Sequence, residues 1–288
     1  MSEGREQFAE WIGRSIESTD RLCADSSAAR MLASILPQCV PGGDADVMPA
    51  LWHWLLFPQI VPLALNDVDG HPMRGGFLPP VDLPRRMWAG GAVSFHRDLC
   101  FGDEVTRKST IADVVMKEGR SGPLCFVTVE HRLSVADRLV IEERQDIVYR
   151  GHETPRAPAG SVSPAPSMAW TEAVAPSPVQ LFRYSAATSN SHRIHYDRSY
   201  ATAEEGYPGL VVHGPLLATL LANLAERRTG NRLASFSFRA RRPVFDIAPF
   251  LICGESGPDR VMLAARGPDG DDCMQAEATL RTPADGDR

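Results

Sequence analysis

Nothing in this chain is long and apolar enough to cross a bilayer, because its richest apolar stretch, Leu51 to Leu65, is broken by His53, Pro58, Gln59 and Pro62. Basic charge is also scarce. With 30 Lys and Arg against 36 Asp and Glu the net charge is -6, which argues against nucleic acid or an anionic membrane surface as partner, since both select basic patches. The six cysteines (Cys23, Cys39, Cys100, Cys125, Cys253, Cys273) are scattered, with no CxxC pair and no Cys/His spacing that suits zinc. Reduced, mostly buried thiols and no bound metal are therefore expected. No phosphate-cradling loop of the GxGxxG or GxxxxGK type occurs, so no cofactor is expected beyond what a substrate itself carries. The N-terminus, MSEGREQFAEWIGRS, lacks the basic start and apolar run of a signal peptide, and a cytoplasmic protein is the expectation.

What is present suffices for about two domains: 288 residues, 43% of them hydrophobic. Residues 151–168, GHETPRAPAGSVSPAPSM, hold four prolines and no hydrophobic period, and read as a linker between halves 1–150 and 169–288. The halves echo one another. Ser94, Phe95 and Asp103 recur as Ser237, Phe238 and Asp246 at a constant offset of 143 residues, as an internal duplication would produce.

Coarse secondary structure repeats as well. In the first half, Pro49 to Phe57 reads as a buried helix, and the alternation of Cys125, Val127, Val129, His131, Leu133 and Val135 reads as a half-buried strand with His131 on its apolar face. In the second, Leu216, Leu217, Leu220, Leu221 and Leu224 give His213 to Arg228 an apolar helical face, stopped by Gly230 and Asn231. Short strands follow around Phe236 to Ala240, Phe250 to Cys253, Val261 to Ala265 and Met274 to Leu280. Each half thus predicts a helix followed by an antiparallel run, an α+β class in which a curved sheet wraps the helix.

The densest chemistry lies between Asn190 and Pro215, where FRYSAATSNSHRIHYD is followed by YPGLVVHGP. Three of the eight histidines (His192, His195, His213), a carboxamide (Asn190) and a Gly-Pro helix entry fall within 26 residues. These motifs, with GGFLPPVDLPRRMWAGG, FGDEV and KEGRSGPLCFVTVEH in the first half, resemble the MaoC-like, R-specific enoyl-CoA hydratase superfamily. The similarity is to its double hot-dog branch of mesaconyl-C4-CoA and itaconyl-CoA hydratases and type 2 hydroxyacyl-thioester dehydratases.

The resemblance implies a double hot-dog fold with two central helices, one site per chain in the second half, and a homodimer. It places His195 at the superfamily's histidine and Gly214 at its oxyanion glycine. Asn190 stands where many members carry aspartate, His192 replaces an asparagine, Arg193 a proline, and Ala222 a serine that often assists.

The chemistry fits those residue types. Hydrating an alkene conjugated to a thioester requires a group to activate water and donors for the charge that develops on the carbonyl oxygen. His195 is the expected general acid/base, Asn190 the water-positioning group and Gly214 the oxyanion donor at a helix N-terminus. His192 is either a substrate contact, a second base or structural. His213 is either a substrate contact or a helix-entry residue bonded to the loop, and Asp197 either orients His195 or caps the next turn. Arg193, Arg86 and Trp88 are expected at the substrate, with Arg85, Arg239, Arg241 and Arg242 as further candidates for a distal carboxylate or the phosphates of CoA. The resemblance implies a short branched dicarboxylic acyl-CoA, with a dehydratase acting on CoA or acyl carrier protein thioesters as the alternative. A thioesterase is disfavoured, since the only carboxylate on the expected helix is Glu226, near its far end. A non-catalytic acyl-CoA-binding protein is the remaining reading.

Overall fold

The computed structural model describes residues 7–36, 46–119, 122–151 and 167–281. Ten strands form one antiparallel sheet. The first half supplies β1 (Ser15–Arg21), β2 (Arg85–Phe95), β3 (Glu104–Gly119), β4 (Gly122–Val135) and β5 (Arg138–Arg150), and the second β6 (Trp170–Val174), β7 (Leu233–Ala240), β8 (Phe250–Ser256), β9 (Val261–Arg266) and β10 (Asp272–Leu280). The order across the sheet is β1-β3-β4-β5-β2-β7-β10-β9-β8-β6. Read outward from the β2–β7 pair, the two halves have the same order. Val93 pairs with Phe236 at that junction, and these two residues stand 143 apart, the offset of the sequence echo. The pair therefore lies on the local two-fold axis that relates the halves. This is the expected α+β double hot-dog, and because the strands at its centre pair with each other, neither half leaves that edge open. Most of the expected linker, 152–166, lies outside the described residues.

The helices differ between the halves. α1 (Ser27–Ala33) and α2 (Pro178–Thr188) pack on each other, while α3 (Gly214–Thr229) crosses β7, β8, β9 and β10. The leucine stripe predicts one buried face, but Leu216 through Glu226 are all buried, because the helix is covered on every side. In the first half the expected helix over Pro49 to Phe57 is only a 3-10 turn, Trp52–Leu55. The apolar residues are buried as expected (Leu51, Trp52, Leu55, Leu56). Left-handed Leu51 (φ 68°) and Phe57 (φ 59°) break the helical path on both sides and confine the turn between them.

A polar cluster fills the space beside this short turn. Buried Glu143 accepts hydrogen bonds from His53 Nε2 (3.0 Å), Trp54 Nε1 (2.9 Å) and Gln145 Nε2 (2.8 Å). Trp54 in turn packs edge-on against Trp88 and Phe238. Burial alone would raise the Glu143 pKa, but the hydrogen bond and charge of His53 outweigh it and hold the carboxyl at about 2. A folded-state pKa depressed below the unfolded value contributes stability above the unfolded pKa, near 4.5, that is lost as pH falls toward 2. Thermal melts between pH 7 and 3 should show a steeper fall for the native chain than for Glu143→Gln, which lacks this term, on the order of a few kcal/mol. Parallel curves would remove Glu143 as the cause.

His131 is buried on β4 and bonded to Ser109 Oγ (2.7 Å), as a structural histidine would be. Cys125, Cys253 and Cys273 are buried, Cys23 is exposed and Cys100 half-buried, while Cys39 lies outside the described residues. No helix among the described residues is long and apolar enough to cross a membrane.

Candidate active site

The histidine motif does not form the extended segment that would put Asp197 on the face of His195. Arg193–His195 is a 3-10 turn, and Asp197 caps the following helical turn through Oδ1 to the Tyr200 amide (3.1 Å). The imidazole is oriented instead by backbone: His195 Nδ1–H donates to the Val211 carbonyl at 2.7 Å. This fixes the tautomer with Nε2 as the acceptor. Burial lowers the His195 pKa to about 4, opposed by the Val211 bond and aided by the charge of His71.

His213 sits behind this ring. The two imidazoles stack with centroids 3.7 Å apart and planes 18° from parallel, and His213 Nε2 shares a hydrogen bond with Ser185 Oγ (2.9 Å). Its side chain has no exposed surface, so the expectation of a substrate contact is corrected to a packing and positioning role. Burial, followed by the charges of His195 and His192, drives its pKa well below the usual value.

The same arrangement opens the helix entry. His213 occupies the N-cap of α3, but with its ring stacked under His195 its side chain caps nothing. Pro215 has no N–H, and the first intrahelical bond of this turn is Leu217 N to His213 O. The Gly214 amide is therefore left at the positive end of the helix. A Cβ at Gly214 would meet nothing closer than the Trp88 carbonyl at 4.0 Å, so the space beside its Cα is open.

The other expected residues are distributed as follows. Asn190 Oδ1 accepts from the His192 amide (3.0 Å), leaving the carboxamide NH2 as its outward group. His192 lies 5.4 Å from His195, ring to ring, and edge-on to it. Arg193 is tethered: its guanidinium binds Asp197 (2.8 Å), donates to the Val68 carbonyl (3.1 Å) and lies over the Tyr200 ring. These contacts make it a brace between the motif and the loop before β2. Arg85 is held by Glu205 (2.8 Å) and lies over Tyr207, Arg241 by Gln275, and Arg242 by Asp269 and Asp271. Trp88 spends its indole N–H on the Gly90 carbonyl (2.8 Å), so only its ring is left for contact. Arg86 differs. It lines a cleft of about 280 Å³ with Asp69, Met87, His192, Ile194 and Tyr207, hydrogen-bonds the Tyr149 phenol, and its charge acts on His71 and His192.

Sequence reasoning missed the first half's contribution. The loop before β2 lies against the motif: Arg193 N donates to Asp69 O (2.9 Å) and Ser191 Oγ to Gly70 O. Gly70 (φ 92°) permits this approach, since a Cβ there would stand 2.0 Å from the Ser191 carbonyl oxygen. The contact brings His71 to 4.2 Å from His192, ring to ring, with its Nδ1 bonded to Asp69 Oδ2 (3.0 Å). The sequence signal for this was a turn, Asp-Gly-His-Pro at 69–72. Asp69, His71 and His192 bring donor atoms within 4.8 Å of one another. That spacing suits a divalent ion, although Asp69 and His71 Nδ1 already satisfy each other.

Comparison with known proteins places the chain in a family. Residues 51–246 match the family model of hydroxyacyl-thioester dehydratase type 2. The chain is 46% identical to the mesaconyl-C4-CoA hydratase of Chloroflexus aurantiacus, over 94% of this chain and 96% of that one. Among solved structures it is similar to HtdX of Mycobacterium tuberculosis, with TM-score 0.66 and 17% identity over 93% of this chain and all of that one. A second protein of that organism, described as a double hotdog fold, gives TM-score 0.55 and 13% identity over 93% of this chain and 96% of that one.

Proposed function

The chain belongs to the hydroxyacyl-thioester dehydratase type 2 family and is a hydro-lyase acting between 2-enoyl and 3-hydroxyacyl thioesters, and from that premise we propose that its substrate is a short, branched dicarboxylic enoyl-CoA. Mesaconyl-C4-CoA, hydrated to citramalyl-CoA, is the substrate best supported. The observation that carries this is the pairing of an oriented, neutral imidazole at His195 with an uncapped helix amide at Gly214, beside a cleft lined by the Arg86 guanidinium.

His195 Nε2 takes a proton from water as the water oxygen bonds to the β-carbon. The alkene electrons move toward the thioester, and the charge that develops on its carbonyl oxygen falls on the Gly214 amide, aided by the helix dipole. The imidazolium then returns its proton to the α-carbon, so the histidine ends as it began. Burial disfavours the imidazolium, which favours that return. Asn190 is assigned to the water through its free NH2, and Arg86 to the carboxylate on the β-carbon.

A cytoplasmic homodimer completes the proposal. Ile60, Leu63, Leu65, Val68 and Met73 expose apolar surface along one segment, as a self-association surface would. Hydrolysis finds no support, because Glu226 lies 12 residues along α3 from Gly214, about 18 Å away at the rise of an α-helix. The test is incubation with mesaconyl-C4-CoA, itaconyl-CoA and crotonyl-CoA, following enoyl-thioester absorbance and free thiol together. Loss of absorbance without thiol release, fastest with mesaconyl-C4-CoA, is expected. Thiol release would make the protein a thioesterase, and silence with CoA esters still bound would make it a binding protein.

A further inference from the structure

We propose that His71, on the first-half loop, is a second catalytic imidazole that holds the attacking water opposite His195, with Asp69 as its positioning residue. The inference rests on the hydratase reading and adds a residue to it. Water attacking an alkene is best directed when both its hydrogens are held, one by the base that will take it and one by a second acceptor. His195 Nε2 is the first. The Asn190 oxygen accepts from the His192 amide and its NH2 donates, so Asn190 can hold the water oxygen while a second ring nitrogen accepts the other hydrogen.

The loop supplies one with its tautomer set. Asp69 accepts from the His71 backbone amide through Oδ1 (2.8 Å) and from its ring Nδ1 through Oδ2 (3.0 Å). The proton is thereby fixed on Nδ1, leaving Nε2 as an acceptor, the same arrangement that Val211 imposes on His195. The ring is half-buried and stands beside His192, which stands in turn beside His195. Burial, with Arg86 and Arg74 facing it, keeps His71 neutral against the pull of Asp69. The loop is also not free to drift, being bonded to the motif at Asp69 and Gly70. In the reaction the water proton still moves to His195 and returns to the α-carbon, and His71 keeps its hydrogen bond to the hydroxyl hydrogen throughout. No further proton donor or acceptor is required.

The experiment compares the full chain with His71→Ala, His71→Gln, Asp69→Asn and His195→Ala, using mesaconyl-C4-CoA. His71→Ala is expected to lower kcat about 10- to 100-fold with KM changed less than about threefold, and to recover part of the loss in millimolar imidazole. Asp69→Asn presents an N–H to Nδ1 and turns the ring to the wrong tautomer, so it should lower kcat about tenfold at unchanged KM. His71→Gln, which keeps an acceptor and most of the volume, should retain more of kcat than His71→Ala, and if His71→Ala fails to fold, Asp69→Asn decides the matter. A kcat within about threefold of native in the folded His71→Ala and Asp69→Asn variants, while His195→Ala is inactive, overturns the role of His71 and leaves the hydratase reading standing. A native chain silent on every enoyl-CoA overturns the hydratase reading itself. Turnover abolished by a chelator and restored by zinc would also overturn the proposal, because Asp69, His71 and His192 would then be metal ligands.

Discussion

Replacing His195 by alanine is expected to lower kcat for enoyl-CoA hydration by about 100- to 10,000-fold, the range for loss of a general acid/base. Two features make the loss large. Nδ1 is committed to Val211, so Nε2 is the atom that must accept the water proton. His213 cannot replace it, being bonded to Ser185 and without exposed surface. KM should change little, because the imidazole is assigned to the water and not to the CoA moiety. His195→Gln, which fills most of the same space, separates lost chemistry from lost packing against His213. If it turns over within about tenfold of native, His195 is not the base.

The same assignment fixes the pH profile. With the pKa lowered to about 4 by burial, the neutral, active form predominates above that value and is lost as pH falls through it. The acid limb of kcat/KM should therefore lie near pH 4, well below the 6.5 of an ordinary histidine. Brief assays after a pH jump keep this limb apart from the acid instability expected of Glu143.

Periodicity served where an element is buried on one face or continuous in sequence. The alternation through Cys125 to Val135 and the leucine stripe from Leu216 both named their elements. The run from Pro49 to Phe57 misled because it is apolar at every position but His53, so it carries burial but no period, and the left-handed Leu51 and Phe57 that confine its turn leave no mark in the pattern. At the site, the grouping of His192, His195 and His213 was legible because they lie close together in sequence. Asp69 and His71 were not, since more than a hundred residues separate them from His192 and only the packing of one half on the other joins them. For Arg193, sequence does not reveal that Asp197, Val68 and Tyr200 engage it.

Arg86 carries the remaining large prediction. In mesaconyl-C4-CoA the free carboxylate sits on the carbon that water attacks, so its binding group must lie close to the catalytic imidazole. Arg86 meets that condition through its place beside His192 and its charge on His71. Neighbouring Arg85 does not offer a comparable charge, because Glu205 neutralises it. A carboxylate entering this cleft also meets Asp69, and without Arg86 that repulsion stands largely uncompensated. Arg86→Met keeps the length of the stem and removes the fork and the charge. It should lower kcat/KM for mesaconyl-C4-CoA by about 100- to 1,000-fold, the effect of leaving a buried charge unpaired. Crotonyl-CoA, which lacks the carboxylate, should change by less than about threefold, since it never used the contact. Arg86→Lys should fall between, because an ammonium restores the charge without the bidentate geometry. Equal losses on both thioesters would locate the role of Arg86 in its hydrogen bond to Tyr149 and the packing of β2, and selection for a dicarboxylic acyl group would then have to reside in another residue of the cleft.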